Sequence, residues 1–192
     1  MTSVSRETAA SLNVFKQLVL EENQRQNLIS TSTIATFDQR HIDDGVQLAD
    51  LGQIGEWCDI GSGAGLPGIV IALVTGKPMT LIEPRKLRAD FLRRVVATLG
   101  IDAEVAETRA ERLSCKFDNI TARAVATLPR LLPLAHHLAH PTTRWILPKG
   151  RSASNELAEV KRSWQGEFRL VQSQTSAEAM IVVAEGVRRK GA

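Results

Sequence analysis

The chain has 192 residues, of which 43% are hydrophobic and 23% charged, and only two of them are cysteines. This balance is typical of one compact soluble domain, and it argues against wholesale disorder, a disulfide framework or a zinc site. No apolar run approaches the roughly 20 residues that span a bilayer, and the N-terminal stretch lacks the order of a secretory signal. We therefore expect a cytoplasmic, monomeric protein with no membrane partner, built as a single domain over residues 1–192.

Charge is unevenly distributed along the chain, although the net charge is only +3. Residues 1–50 contain four basic and seven acidic residues, whereas residues 105–192 contain fourteen basic and eight acidic residues. The basic half is compatible with a polyanionic partner such as nucleic acid. It is equally compatible with an ordinary solvated basic surface, so charge alone leaves both explanations open.

The first 50 residues predict a helical extension. Apolar residues recur at nearly helical spacing in "AASLNVFKQLVLEEN", and a second helix is expected through "FDQRHIDDGVQLADL". We expect these helices to form a cap that packs on the domain formed by residues 51–192.

Residues 51–192 alternate short apolar runs with helical patterns. The runs predicted as strands are "EWCDI", "PMTLIE", "DAEVAET", "FDNITARAVA", "TTRWILPKG", "FRLVQSQ" and "AMIVVAEG". The stretches predicted as helices are "LPGIVIALVTG", "RKLRADFLRRVVATLG", "LPRLLPLAHHLA" and "SASNELAEVKRSW". This alternation predicts an α/β fold with a doubly wound parallel sheet. No helix separates the last two strands, so we expect them to form an antiparallel pair.

The stretch "DIGSGAGLPG", residues 59–68, lies between the first strand and its helix. Doubly wound sheets bind nucleotides at such glycine-rich turns, where no side chain covers the backbone N–H groups. One frame, with Gly63, Gly65 and Gly68, fits the GxGxxG pattern of a nucleotide-binding oxidoreductase. The other frame begins at Asp59 and fits the acidic pattern of S-adenosylmethionine (AdoMet) methyltransferases. We favour AdoMet because Asp59 would repel a pyrophosphate but attract the ammonium group of AdoMet.

Six stretches in a fixed order carry a resemblance to a known family: "HIDDG", "DIGSGAGLPGI", "LIEPRKLRADFL", "RAE", "ARAVA" and "LPKG". They resemble the bacterial small-subunit ribosomal RNA guanine-N7 methyltransferases known as RsmG or GidB. The resemblance implies a class I methyltransferase fold and methylation of N7 of a guanine in 16S ribosomal RNA. The implied partner is 16S ribosomal RNA or the small ribosomal subunit. This sequence has Gly45 where the family commonly has serine.

The resemblance also implies roles for particular residues. It implies AdoMet binding by the glycine turn and Glu83, with Glu83 on the ribose hydroxyls; the turn residues are Asp59, Gly61, Ser62, Gly63 and Gly65. It places Ala110 and Glu111 near the adenine, and Arg123 in the cofactor and substrate cleft.

Guanine N7 has a free electron pair and no proton, so its methylation requires no general base. We therefore expect no catalytic acid or base, and we expect Arg123 to position the guanine or an adjacent phosphate. The RNA backbone is expected to contact basic residues near or after predicted strand ends: Lys149, Arg151, Arg188 and Arg189. An ion pair between Arg123 and an acid such as Asp118 is the alternative.

Other reactive side chains are interpreted as structural. Cys58 lies within the first strand and is expected to be buried. His41, Asp43 and Asp44 lie on one predicted helix and make a poor metal site, so we predict no bound metal. His136 and His137 are adjacent on a helix and face different directions. Two further alternatives remain for the function: an oxidoreductase-type nucleotide-binding module, and a methyltransferase for another RNA or a small molecule.

Overall fold

The computed structural model describes residues 4–191. Within this range the chain forms a seven-stranded sheet of order β3-β2-β1-β4-β5-β7-β6. The strands are β1 (Trp57–Ile60), β2 (Met79–Ile82), β3 (Ala103–Ala106), β4 (Phe117–Ala122), β5 (Ala139–Lys149), β6 (Trp164–Gln172) and β7 (Met180–Arg189). The α-helices are α1 (Arg6–Gln26), α2 (Asp43–Asp50), α3 (Gly68–Thr75), α4 (Lys86–Leu99), α5 (Leu128–Ala135) and α6 (Ala153–Ser163). Strands β1 to β5 pair in parallel, and β7 pairs antiparallel with both β5 and β6.

The predicted alternation of strands and helices is therefore confirmed, and so is the closing antiparallel pair. The differences lie at the ends of that pair. Helix α6 stops at Ser163, and β6 begins at Trp164, because the buried Trp164 pairs with Arg189 of β7. Strand β7 consequently runs three residues beyond its predicted end at Gly186.

Two apolar layers cover the two faces of the sheet. The first contains buried residues of α1 to α4 together with Trp57 and Leu81 of the sheet. The second packs α5 and α6 against the opposite face, which includes Cys58 and Ile60. Side chains alternate along β1, so Asp59 points to the same face as Trp57, toward α3. Cys58 is completely buried, as expected. No helix among residues 4–191 is long and apolar enough to cross a membrane.

The N-terminal helices pack on the first layer, as expected for a cap. Helix α1 buries Leu12, Phe15 and Val19 in the same cluster as α3. The predicted second helix begins as a π-helical segment, Asp38–Ile42, and continues as α2. Helix α2 approaches α3 closely at Gly45, where an added Cβ atom would lie 2.5 Å from a methyl group of Val70. This contact explains why a side chain larger than hydrogen does not fit at position 45.

The substitution Gly45→Ser is expected to lower the free energy of unfolding by about 1–3 kcal/mol, because the new Cβ overlaps the side chain of Val70. Urea denaturation measures the loss. In a double-mutant cycle with Val70→Ala, which removes the methyl group at 2.5 Å but keeps Cβ at 2.6 Å, Gly45→Ser is expected to cost less in the Val70→Ala background than in the original protein. An equal cost of Gly45→Ser in the two backgrounds would contradict the steric explanation.

Candidate active site

A tight turn follows β1 and is built from glycines in the left-handed region. The backbone N–H groups of Gly61 and Ser62 both donate to the carbonyl oxygen of Ile82, at 2.8 and 3.0 Å. Gly61, Gly63 and Gly65 have φ values of +70°, +56° and +83°. Residues with a Cβ atom pay a steric cost in this region, so the turn requires glycine at these positions.

The glycines of this turn differ in what surrounds them. An added Cβ atom would lie 2.6 Å from Val125 at Gly61 and 2.6 Å from Ile69 at Gly65. At Gly63 no atom lies nearer than 3.8 Å, and one of the two atoms at that distance is Nη1 of Arg88. Gly61 and Gly65 are therefore needed for packing, whereas Gly63 leaves bare backbone facing open space. Gly63 is the point where a ligand can approach the main chain.

Asp59 lies under this turn and is completely buried. Its Oδ2 accepts a hydrogen bond of 3.1 Å from the N–H of Gly68, which fixes the start of α3, and its Oδ1 has no hydrogen-bond partner. Burial raises the pKa of Asp59 to about 7, although the Gly68 N–H and the charge of Arg123 oppose the shift. Asp59 thus anchors the glycine turn to α3. Its contact with the ammonium group of AdoMet remains a prediction.

The raised pKa gives protein stability a defined pH dependence. Unfolded Asp59 ionises near 3.8, whereas folded Asp59 keeps its proton until about pH 7. The favourable contribution is complete below about pH 4 and is lost as the pH rises to about 7. Asp59→Asn keeps an acceptor oxygen for Gly68 but does not titrate. Between about pH 4.5 and about pH 7.5, the free energy of unfolding of the original protein, measured with urea, should fall by about 2–4 kcal/mol relative to that of Asp59→Asn. A difference between the two proteins that does not change with pH would contradict the raised pKa.

Glu83 and Ser62 brace the turn from two sides. Glu83 is buried, and its two oxygens accept hydrogen bonds from the backbone N–H groups of Gly63, at 3.0 Å, and Arg85, at 2.9 Å. The buried hydroxyl of Ser62 donates to the carbonyl oxygen of Asp59 at 2.9 Å. The side chain of Ser62 therefore turns inward, and its backbone N–H and carbonyl oxygen already bond Ile82 and Gly65, so its contact with AdoMet stays a prediction. The ribose contact of Glu83 stays a prediction.

A pocket of about 530 Å³ opens beside the turn. Residues of five separate chain segments line it: Ile60, Gly61, Ile82, Pro84, Arg85, Arg109, Ala110, Glu111, Val125 and Leu134. Ala110 and Glu111 belong to a short 3₁₀ turn, Ala110–Arg112, after β3. The ring of His137 hydrogen-bonds the carbonyl oxygen of Ala110 at 3.1 Å, which gives this histidine the structural role expected for it. The structure thus brings Ala110 and Glu111 into one pocket with Gly61, and their position near the adenine stays a prediction.

These features fit AdoMet. The volume lies within the range of small-molecule sites, and the walls combine apolar side chains with a few polar groups, as an adenine ring requires. Gly63 provides open backbone for the rest of the molecule. The unpartnered Oδ1 of Asp59 and Oγ1 of Thr121, register neighbours on β1 and β4, add polar atoms beneath the turn.

Arg123 follows β4 directly and lies on the N-terminal cap. Its Nη1 donates to the carbonyl oxygen of Arg40 at 3.3 Å and lies 3.7 Å from Oδ2 of Asp44. Burial lowers the pKa of Arg123, and the charges of Asp44 and Asp59 oppose that shift. The alternative of an ion pair with an acid is therefore present, but the acid is Asp44. Asp118 lies near the start of β4, away from Arg123, and accepts a hydrogen bond from the backbone N–H of Glu56 at 2.9 Å.

Asp44 itself is held by a polar network that joins the cap to the loop between β6 and β7. Its Oδ1 accepts hydrogen bonds from Gln47, at 3.0 Å, and from the hydroxyl of Thr175. Gln47 also donates to Ser173 and accepts from the backbone N–H of Gln174. Arg123 is therefore positioned by two segments that are far apart in sequence. No sequence motif predicts this link, because Thr175 lies in a polar loop without a recognisable pattern.

His41 packs beside this network in the position expected of a structural histidine. Its Nε2 hydrogen-bonds Thr33 at 3.1 Å, and its ring contacts the ring of Phe37 edge-on at 5.0 Å between centroids. Burial and the nearby charges of Arg123 and Arg40 lower its pKa to about 4. His41 is therefore neutral at physiological pH. No group of three potential metal ligands occurs among residues 4–191.

The four residues expected to bind the RNA backbone have different surroundings. The side chain of Lys149 is only 10% exposed, and its Nζ donates to the carbonyl oxygen of Ala126 at 2.6 Å and lies 3.3 Å from Glu156. These internal contacts occupy Lys149 and remove it as a surface cation. Arg151 is exposed and pairs with Glu178 on the surface.

Arg188 and Arg189 lie at the edge of the sheet opposite to the glycine turn. Because β7 runs antiparallel to β5, its first residue, Met180, pairs with Lys149 at the carboxyl edge. Its last residues therefore reach the opposite edge, where Arg188 lines a pocket of about 590 Å³ with Gln53. RNA binding by Arg188 and Arg189 stays a prediction, and the direction of the last strand separates both residues from the glycine turn.

The sheet order, the glycine turn and the adjoining pocket define the class of the protein. It has the fold of class I AdoMet-dependent methyltransferases. An Aquifex aeolicus structure, described as a SAM-dependent methyltransferase, superposes with a TM-score of 0.62 at 14% identity. The superposition covers 83% of this chain and 95% of that one.

Sequence comparison identifies the family. Residues 8–181 match the GidB family, described as rRNA small subunit methyltransferase G. Relatives named ribosomal RNA small subunit methyltransferase G include one from Rhizorhabdus wittichii, 49% identical over 98% of this chain and 90% of its own length. Another, from Sphingopyxis alaskensis, is 46% identical over 95% of this chain and 80% of its own length. The chain belongs to the GidB family of AdoMet-dependent methyltransferases.

Proposed function

We propose that the protein transfers a methyl group from AdoMet to N7 of a specific guanine in 16S ribosomal RNA. The observation that carries this proposal is the open backbone of Gly63, which lies above the buried Asp59 and beside the pocket of Ala110 and Glu111. Family membership supports the ribosomal substrate, because the relatives are named as methyltransferases of small-subunit ribosomal RNA.

The chemistry of N7 is consistent with the residues around the cleft. When bound, AdoMet supplies an electrophilic methyl group on a sulfonium, and N7 attacks it with an in-plane electron pair. No proton leaves N7, so the reaction requires alignment rather than a base. Of the acids near the cleft, Asp44 bonds Gln47 and Glu83 bonds backbone N–H groups, while Glu111 lines the pocket and is not needed as a base. His41 is neutral and bonded to Thr33.

We assign Arg123 the task of positioning the guanine or an adjacent phosphate. Its guanidinium is fixed from one side by Asp44 and the carbonyl oxygen of Arg40, at the carboxyl edge where parallel sheets bind ligands. A fixed positive charge there stabilises electron density on guanine oxygen or phosphate.

The substrate nucleotide must be accessible from outside a helix. N7 faces the major groove, which in A-form RNA is too deep and narrow for side chains. We therefore infer that the target guanine lies in a loop or is flipped toward the cleft.

The core shared by α1 and α3 supports one methyltransferase domain over residues 1–192. We further propose that it acts in the cytoplasm as a monomer.

Incubation with tritium-labelled AdoMet tests this function. Small ribosomal subunits that lack the modification are expected to take up label, and large subunits are expected to take up none. Calorimetry with AdoMet and NAD⁺ tests the oxidoreductase alternative, which family membership does not favour. Binding of NAD⁺ without AdoMet would overturn the cofactor assignment, whereas AdoMet binding without label in RNA would favour a small-molecule substrate.

A further inference from the structure

The cations of helix α4 and of the residue before it fall into two groups. Arg93 bonds Asp90 and Glu107, each at 2.8 Å, and two further ion pairs join Lys86 to Asp90 at 2.9 Å and Arg94 to Glu22 at 2.7 Å. Arg85 and Arg88 have no carboxylate within ion-pair distance among the residues that the structure describes.

The unpaired group lies at the cofactor pocket. Arg85 lines that pocket, and its backbone N–H is fixed by Glu83. Nη1 of Arg88 lies 3.8 Å from the position of a Cβ atom at Gly63, which places the guanidinium over the open part of the turn. Arg109 lines the same pocket and is likewise without an ion pair within residues 4–191.

A fourth arginine lies on the other side of the cleft. Arg40 is exposed, and its carbonyl oxygen accepts the hydrogen bond from Arg123. Its positive charge is close enough to lower the pKa of both His41 and Arg123. We call Arg40, Arg85, Arg88 and Arg109 the mouth arginines.

The carboxylates at the cleft leave most of this charge unneutralised. Asp59 is buried, Glu83 accepts two backbone hydrogen bonds, and Asp44 is engaged with Arg123 and Thr175. Glu111 lines the same pocket and is exposed, but among residues 4–191 it forms no ion pair, so one carboxylate faces several arginines. Unpaired like charges around one opening repel each other, which destabilises this arrangement when nothing is bound. A polyanion at the opening would relieve the repulsion. A nucleic-acid backbone supplies charges of this sign at regular spacing.

We propose that the mouth arginines bind phosphates of the RNA strand on both sides of the target guanine. This inference rests on the proposed function, and it assigns the RNA contact to the cofactor edge of the sheet, not to the basic C-terminal residues. Arg85, Arg88 and Arg109 hold the strand at the pocket side, and Arg40 holds it at the cap side.

The test compares removal of charge at the mouth with removal of the same charge at the opposite edge. The variant Arg85→Ala/Arg88→Ala and its matched control Arg188→Ala/Arg189→Ala each lose two arginines. Affinity for deproteinised 16S ribosomal RNA and for unmodified small subunits is measured from low to high KCl concentration. Calorimetry gives the AdoMet affinity of each variant, and the melting temperature reports folding.

The mouth variant is expected to bind RNA more weakly, with the slope of log K against log salt shallower by about 0.7 for each lost single-strand phosphate contact. Because Arg85 and Arg88 lie at the cofactor pocket, RNA affinity is compared at saturating AdoMet, so that any change in AdoMet affinity does not affect the slope. The control variant should retain the original slope. Arg88→Lys keeps the positive charge and is therefore expected to keep most of the salt dependence of RNA binding. If Arg88 had only a structural role, its charge would not contribute to that salt dependence.

Three outcomes would overturn the inference: equal slopes in the mouth and control variants, a steeper loss in the control, or weaker AdoMet binding by the mouth variant with RNA binding intact. The last would assign the arginines to the cofactor. Failure of the proposed function is separately visible, because the unsubstituted protein would then neither bind nor label the RNA.

Discussion

Charge reversal at Arg123 is expected to reduce kcat/KM for methylation of the small subunit by at least about 100-fold, equivalent to about 2.7 kcal/mol of transition-state stabilisation. In Arg123→Glu a carboxylate replaces the guanidinium that lies 3.7 Å from Asp44, so two like charges face each other where a positive charge is required. Initial rates of tritium transfer measure the effect.

AdoMet calorimetry on the same variant separates the possible roles of Arg123. Unchanged AdoMet affinity with slow methylation would assign the residue to guanine or phosphate. A parallel loss of AdoMet affinity would assign it to the cofactor. The matched control Arg169→Glu makes the same charge change on β6 and is expected to be nearly as active as the original protein. Normal methylation by Arg123→Glu would remove Arg123 from the mechanism.

The substitution Gly63→Ala is expected to weaken AdoMet binding by at least about tenfold, or about 1.4 kcal/mol. The added methyl group would occupy the open space above the turn, where no other atom lies within 3.8 Å. Calorimetry measures this change directly.

Gly76→Ala provides a matched control for backbone strain. Gly76 has φ of +61°, close to the +56° of Gly63, and nothing lies within 4 Å of an added Cβ atom there. It ends α3, far along the helix from the glycine turn. Both variants should lose about 1–2 kcal/mol of stability from the left-handed conformation. Only Gly63→Ala should lose AdoMet affinity, and equal affinities would show that the turn does not contact the ligand.

Local patterns in the sequence were sufficient for the fold and the cofactor turn. Alternating strands and helices predict parallel pairing, and the glycine spacing predicts the left-handed turn at Gly61, Gly63 and Gly65. Ala110 and Glu111 line one pocket with Gly61, although their position near the adenine stays a prediction. Each of these features depends on residues that are close together in the chain or on a strand end.

The RNA-binding assignments required information that the sequence does not carry. Lys149 lies at a strand end, where polar residues commonly bind ligands. Its ammonium group instead contacts Glu156 on the next helix and the carbonyl oxygen of Ala126. Arg188 and Arg189 were chosen as RNA-binding candidates by charge, and the antiparallel direction of β7 places them at the edge of the sheet opposite to the glycine turn. The link from Asp44 to Thr175 joins residues 131 positions apart and exists only after folding. Arg85 and Arg88 are visible in "EPRKLRAD", but their lack of carboxylate partners is a property of the folded protein.

Location of the methyl group in the RNA tests the central claim most directly. Small subunits lacking the modification are incubated with the protein and AdoMet, and the extracted 16S ribosomal RNA is treated with borohydride and aniline, which cleave at N7-methylguanine. One cleavage site that requires both protein and AdoMet, and that Gly63→Ala forms more slowly, is the predicted result. Methyl label in the RNA without aniline cleavage would place the methyl group on another atom and contradict the assignment to guanine N7.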